Sequence, residues 1–167
     1  MIIKIFPYKS DKYYLKFLES NFDEKKNFCL IENKTIVINL YDSNNKLLGT
    51  ICLLKNKDLM SFLENSNPDA AGNYIFRAAK GVHIYNFTVD KNSRGKKIGK
   101  KLLKICMYSI KNLGYEYCHC HVMEDSKSEN MFSKIGFTKE NVIHTETRNK
   151  KDLIPKKREL VNMTFWV

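Results

Sequence analysis

Apolar positions recur every second residue in some stretches of this chain and every third or fourth in others. The change of period marks its elements. Ile2-Ile3-Lys4-Ile5-Phe6 reads as a first strand closed by Pro7. Tyr14, Leu18 and Phe22 then repeat at helical spacing, with Ser10 as the expected N-cap. Thr35 to Tyr41 and Leu47 to Leu54 alternate as two strands around a hairpin loop, Asp42 to Lys46. Asp58 to Glu64 reads as a short helix, and Asn65 to Lys80, with Pro68 and Gly72, as a loop. His83 to Val89 is strand-compatible, Asp90 to Ser93 is turn, and a helical pattern starts near Lys97. Ile98, Leu102, Cys106, Ile110 and Leu113 share its inner face, and Gly114 is the expected residue just past its end. Tyr115 to Met123 is a strand. Ser126 and Glu129 form a capping box that opens a helix with Met131, Phe132 and Ile135 inward, ended by Gly136. Val142 to Arg148 and Glu159 to Val167 read as two closing strands around a basic loop holding Pro155.

The order is β-α-β-β-α-β-α-β-α-β-β, a mixed α/β arrangement with two hairpins and crossover helices. No internal repeat or linker divides it, so residues 1–167 are expected to form one domain. A chain of this length with 43% hydrophobic residues can bury a real core. No apolar run approaches a membrane span, and no secretory h-region opens the chain. Five cysteines, an odd number, then predict reduced thiols and a cytoplasmic protein. On that reading the Asn-x-Thr triplets at Asn33, Asn86 and Asn162 are chance matches.

Charge adds a direction. Twenty-nine basic against 18 acidic residues leave a net +11. Such a field favours anionic partners: nucleic acid, an acidic membrane or a polyanionic cofactor. The basic residues concentrate in two blocks, 91–104 and 148–158. The first coincides with the strand–turn–helix unit, where Lys91, Arg94, Lys96, Lys97, Lys100, Lys101 and Lys104 run without an acidic residue. A helix start offers unpaired backbone N–H groups and a partial positive charge. Gly95 frees the turn's backbone, and Gly99 allows close approach. A phosphate-bearing ligand laid along this turn is the physical expectation. Cys118-His119-Cys120-His121 resembles a metal cluster in composition. On a strand, however, the two thiols and the two imidazoles face opposite ways, so no metal is expected.

The same residues carry a resemblance. Val89, then Arg94-Gly95-Lys96-Lys97-Ile98-Gly99 and Leu102-Leu103, resemble the acetyl-CoA motif of the GNAT superfamily of N-acetyltransferases, Gln/Arg-x-x-Gly-x-Gly/Ala between the fourth strand and the helix after it. Asp125-x-x-Ser128-x-x-x-Phe132-x-Lys134-x-Gly136-Phe137 is similar to a second motif of that superfamily, Asn-x-x-Ala-x-x-x-Tyr-x-Lys-x-Gly-Phe. The resemblance implies a GNAT-like acyl-CoA N-acyltransferase fold with a central mixed, mostly antiparallel sheet. It implies acetyl-CoA as co-substrate, without a metal. The turn from Arg94 through Gly95, Lys96, Lys97, Ile98 and Gly99 to Lys100 would hold the pyrophosphate. The strand edge at Phe87, Thr88 and Val89 would pair with the pantetheine arm between two splayed strands. Asp125, Ser128, Phe132 and Lys134 would complete the cofactor side. Three departures from the pattern bear on the site. Lys97 replaces a glycine, Asp125 replaces an asparagine, and Phe132 replaces the tyrosine that serves as acid toward the departing thiolate.

The implied reaction is acetyl transfer to a primary amine by direct attack in a ternary complex. The acceptor would be a small molecule or a peptide, and the protein a monomer or homodimer. His83 and Tyr85 are the candidate catalytic residues. On a regular strand His83 shares a face with Tyr85, Phe87 and Val89, and an imidazole of ordinary pKa accepts a proton near neutrality. His83 resembles the Glu or His that acts as base on this strand in several such enzymes, and Tyr85 would orient a water or stand in as the acid. The alternative class is a non-catalytic protein that binds acyl-CoA or nucleic acid with the same basic surface. Binding to duplex DNA is expected to be weak at physiological ionic strength.

Overall fold

The computed structural model describes residues 1–22, 30–59, 61, 80–147 and 156–167; over 141–147 and 156–160 it describes the backbone alone. Seven strands form one sheet in the order β1-β2-β3-β4-β5-β7-β6. They are β1 (Ile2–Pro7), β2 (Ile36–Tyr41), β3 (Leu47–Lys55), β4 (Gly81–Val89), β5 (Tyr117–Met123), β6 (Thr138–Thr147) and β7 (Lys156–Trp166). Among the described strands, β4–β5 is the one parallel pair. The helices are α1 (Lys12–Asn21), α2 (Ile98–Asn112) and α3 (Lys127–Ser133), with a helical turn at 56–59 after β3. The fold expected from the element order is the fold observed.

Two apolar layers sandwich the sheet. Ile98, Leu102, Leu103, Cys106 and Ile110 of α2 and Phe132 of α3 pack on Ile38, Leu40, Ile51, Leu53, Val82 and Ile84. Tyr14 and Leu18 of α1 pack on the opposite face, against Tyr8, Val37 and Cys52. Cys118 and Cys120 lie in the α2 layer, as strand alternation requires. Burial pushes the Cys118 thiol up to about 12. Among the described residues, Cys52, Cys106, Cys118 and Cys120 form no disulfide, and Cys29 lies outside the described residues.

Several boundaries differ from expectation. Asp11, not Ser10, caps α1: its carboxylate accepts from the Tyr13 and Tyr14 backbone N–H groups. Leu113 is half exposed rather than inward, because α2 stops at Asn112. Gly114, at φ +74°, reverses the chain there, and the Tyr115 N–H reaches back to the Ile110 carbonyl at 3.3 Å. Strand β5 begins at Tyr117, two residues late, because Tyr115 belongs to that closing turn. The closing hairpin is longer than its apolar pattern, since backbone pairing runs from Thr138↔Thr164 to Thr147↔Lys156 through polar and basic residues. The expected loop 65–80 lies outside the described residues except for Lys80, as does the expected helix beyond 61.

Candidate active site

Strands β4 and β5 pair over just four positions, Gly81↔Tyr117 to Ile84↔Cys120, although β4 continues to Val89 and β5 to Met123. Beyond Ile84 the two strands part. Among the described residues, no strand pairs with the β5 side of Asn86 to Val89, while the other side of β4 pairs with β3. An open parallel edge of this kind can be completed by an extended ligand with amide groups.

A bulge stands just past this fork. Cys52 pairs with Tyr85 and Thr50 with Thr88, so Asn86 and Phe87 together oppose Ile51. Asn86 takes up the extra residue in the left-handed region, at φ +48°. The expectation that His83, Tyr85, Phe87 and Val89 share a face is therefore corrected. Tyr85 packs in the α1 layer, whereas Phe87 and Val89 pack in the α2 layer. The extra residue reverses the alternation, and a period-two reading cannot see it.

On the α2 side, one cleft of about 570 Å³ collects most of the expected cofactor residues. Its lining includes Phe87, Thr88 and Val89 from β4, Arg94, Gly95, Lys97, Ile98, Gly99 and Lys100 from the turn, and Ser128 from α3. Lys96 is exposed on the turn without lining the cleft. Asp125 and Lys134 line an adjoining hollow of about 400 Å³ that shares Lys100, Lys127 and Met131 with the first. Phe132 lines neither: its ring is buried between Phe87 and Phe137, at 5.9 and 4.9 Å between centroids. Sequence reasoning missed Asn21 and Phe22 at the end of α1, and Lys127 and Met131 of α3.

The turn is built to hold its shape. The Asp90 carboxylate accepts from Ser93 Oγ at 2.8 Å and from Lys46 Nζ at 3.1 Å. Burial alone would raise its pKa, but these donors together hold it below the usual carboxylate value. The side chain of Arg94 braces the turn against α1, donating to the Asn21 carbonyl at 2.7 Å. Asn21 Oδ1 in turn accepts from the Lys91 N–H at 2.8 Å. Helix α2 opens without a side-chain cap, and its first intrahelical bond runs from Lys101 N–H to the Lys97 carbonyl. The N–H groups of Ile98, Gly99 and Lys100 precede that bond and lie where the cleft begins. A Cβ on Gly99 would stand 3.4 Å from Phe87 and 3.6 Å from Met131 and Val89, so a longer side chain there enters the cleft. Lys96, Lys97, Lys100, Lys101 and Lys104 are all exposed around it. These features fit a pyrophosphate at the turn and an extended amide arm along the β4 edge.

Lys97 occupies the position of the missing motif glycine with φ +61°. Left-handed backbone costs a side-chain-bearing residue about 1–2 kcal/mol, partly offset by the chain entropy that glycine loses. Lys97→Gly is expected to raise the unfolding free energy by about 0.5–1 kcal/mol in urea denaturation. An unchanged or lower value would show that the strain is absent.

On the α1 side, three imidazoles meet below the fork. His83 lies 4.7 Å from His119 and 5.2 Å from His121 between ring centroids. Burial, then the neighbouring His119 and His121, push His83 well below the ordinary value of 6.5. Burial takes His121 down to about 4 and, with His121 adding to it, His119 to about 3. All three are neutral at neutral pH. The sequence-based assumption of an ordinary imidazole at His83 is corrected, because the alternation that turns Cys118 and Cys120 into one layer turns His119 and His121 onto His83 in the other. Tyr85 stacks 5.8 Å from His83, and its hydroxyl is hydrogen-bonded to Thr35 Oγ1 at 2.6 Å. Among the described residues, no three His, Cys, Asp or Glu side chains are placed to hold a metal ion.

The sequence profile of the Acetyltransferase (GNAT) family matches residues 2–137. The chain belongs to the GNAT acetyltransferase family. Among curated proteins, none matches its sequence. Solved GNAT-type structures share its fold. A Bacillus subtilis acetyltransferase in complex with CoA superposes with TM-score 0.69 at 16% identity, over 99% of this chain and 97% of that one. The Escherichia coli ribosomal-protein-S18-alanine N-acetyltransferase gives TM-score 0.69 at 8% identity, covering 99% and 94%. An IAA acetyltransferase from Bacillus cereus gives 0.68 at 16%, covering 99% of both. This GNAT chain has no described helix long and apolar enough to cross a membrane.

Proposed function

We propose that the protein transfers an acetyl group from acetyl-CoA to a primary amine, by direct attack within a ternary complex. The observation that carries this reading is the parting of β4 and β5 beyond Ile84, with Phe87 to Val89 lining the same cleft as Arg94, Gly95, Gly99 and Lys100 of the turn. Acetyl-CoA supplies an activated acetyl group. The turn's N–H groups and lysines would hold its phosphates. Phe87, Thr88 and Val89 would pair with its amide arm, and a backbone N–H of that edge would donate to the carbonyl oxygen as negative charge gathers there. The bulge at Asn86 supports a division of labour across the sheet, with phosphates on the α2 side and the amine on the α1 side, beside His83 and Tyr85. Most of the rate would come from holding the two reactants together. The CoA carried by the Bacillus subtilis neighbour supports the cofactor assignment. The acceptors named for the other two neighbours, a ribosomal-protein alanine and IAA, are too unlike each other to transfer to this chain.

A lysine-like ammonium costs about 4–5 kcal/mol to deprotonate at neutral pH. The neutral amine attacks, and His83 would take the further proton that its nitrogen sheds as the new bond forms, when that nitrogen becomes far more acidic. The test is amine-dependent release of CoA thiol across a panel of peptides and small amines, for wild type and His83→Ala. The expected loss in turnover number is about 10²-fold or more, with little change in acetyl-CoA affinity. Because His83 titrates well below 6.5, the acidic limb of the wild-type profile should lie well below that pH and vanish in the variant. Full activity in His83→Ala, with the same profile, would remove the base from this account. The same assay with Tyr85→Phe asks whether its hydroxyl serves the departing thiolate.

A further inference from the structure

The polar groups behind His83 form a chain whose directions can be worked out atom by atom. Asn56, in the helical turn after β3, is buried, as are His119 and Tyr117 of β5. Asn56 Nδ2 donates to the Tyr117 hydroxyl at 2.7 Å. Its Oδ1 therefore faces His119 Nε2, 2.9 Å away, and a carboxamide oxygen can only accept. His119 Nε2 must carry the proton. His119 Nδ1 is then a bare lone pair, and it lies 3.4 Å from His83 Nδ1. Two bare nitrogens would repel at that distance, so His83 Nδ1 carries a proton and donates it. His83 Nε2 is left as the lone pair.

The fold holds this chain in place. His83 and His119 are register partners on the parallel pair, as are Gly81 and Tyr117. A Cβ on Gly81 would stand 2.4 Å from Asn56 Nδ2 and 2.2 Å from the Tyr117 ring, so glycine there is what admits the Asn56–Tyr117 contact. Among the described residues, the side chains facing His83 that can titrate are His119 and His121 from β5 and Tyr85 from its own strand.

We propose that Asn56 and His119 are positioning residues that fix His83 in its Nδ1–H tautomer and so keep its Nε2 lone pair available to the acceptor amine. The proposal rests on the reading of His83 as the base, but its first readout does not depend on turnover. Free imidazole prefers the opposite tautomer, with the proton on Nε2, so the imposed state is recognisable.

Long-range 1H–15N correlation spectra of the full chain, labelled at histidine nitrogen, report each ring's tautomer at neutral pH. The expected pattern is Nδ1–H for His83 and Nε2–H for His119. Asn56→Ala removes the acceptor for His119, and the His83 resonances should move toward the Nε2–H pattern. The turnover number should fall about tenfold, with acetyl-CoA KM unchanged. Asn56→Asp keeps an oxygen facing His119 Nε2 and should keep the His83 pattern. An Nε2–H pattern for wild-type His83 would mean that the chain runs the other way and would overturn the proposal. So would an unchanged His83 pattern in folded Asn56→Ala. Should that variant not fold, the wild-type spectrum still decides. The Nδ1–H pattern together with full activity in His83→Ala would instead count against His83 as base, leaving the positioning chain standing.

Discussion

Acetyl-CoA is expected to raise the melting temperature of the wild-type chain and to leave that of Gly99→Asp unmoved. A ligand at 100 times its dissociation constant adds about 2.7 kcal/mol to the folded state, or about 5–10 °C for a chain of this size. Gly99 is the second residue of α2 and lines the cleft between Phe87, Val89 and Met131. Its missing Cβ would make ordinary contacts at 3.4–3.6 Å, so the backbone tolerates the substitution. The carboxylate, by contrast, projects into the cleft and sets a negative charge where the phosphates would bind. An acidic residue in the first turn of a helix stabilises it, and replacing a helical glycine does too. The apo variant should therefore melt no lower than wild type while losing the ligand shift. That pairing separates a lost site from a lost fold. A wild-type-sized shift in Gly99→Asp would move the phosphate site away from this turn.

Stability should fall steeply as pH drops below about 6.5, well before the carboxylates titrate. In the unfolded chain His83, His119 and His121 titrate near 6.5. In the folded chain His121 is pushed down to about 4, His119 to about 3, and His83 well below its ordinary value. The unfolded state thus binds more protons than the folded state throughout the interval below 6.5, so unfolding becomes easier as pH falls. The stabilisation is complete above the unfolded value and is lost as pH descends toward the folded values. Each of these depressed imidazoles contributes about 1.4 kcal/mol per pH unit over that interval. Three of them can consume a typical domain stability of about 5–15 kcal/mol within two or three units. Asp90 acts in the same direction, but only below its ordinary value of 3.8, because its folded pKa is depressed. Urea midpoints at pH 7.5, 6 and 5 measure the slope. His121→Asn should flatten it by about a third, and a level stability between pH 7 and 5 would contradict the burial of this cluster.

The grouping of the turn residues into one cleft was legible in the sequence, and the surroundings of His83 were not. Arg94, Gly95, Lys97 and Gly99 are neighbours in the chain, so their spacing alone brings them to one helix start, and the structure finds them on one cleft wall. Lys97 in the left-handed region explains why that position prefers glycine. The face of His83 could not be read, because a bulge at Asn86 inserts one residue into an otherwise regular alternation. Nor could the chain from His83 to Asn56, since it joins three elements whose contacts are set by β4–β5 register and by the space at Gly81. Asn21, 70 residues from Lys91, is tied to it by a hydrogen bond that no local pattern announces. Ser126 and Glu129 were legible as a cap, but Glu129 Oε2 reaches back to the Asp125 N–H rather than to that of Ser126. Phe132 shows a limit of motif transfer: its place in the pattern suggested the cofactor side, and its burial among Phe87 and Phe137 puts it in the core.

Amide hydrogen exchange with and without acetyl-CoA tests the central claim most directly, namely that the cofactor lies along the opened β4 edge with its phosphates at the start of α2. The prediction is slowed exchange in two separate stretches, the amides of Phe87 to Val89 and those of Gly95 to Lys100, with both effects lost in Gly99→Asp. The paired amides of Val82 to Ile84, held within the sheet on either side, should change little. Binding of acetyl-CoA that slows exchange elsewhere while leaving Phe87 to Val89 at their free rates would contradict the account.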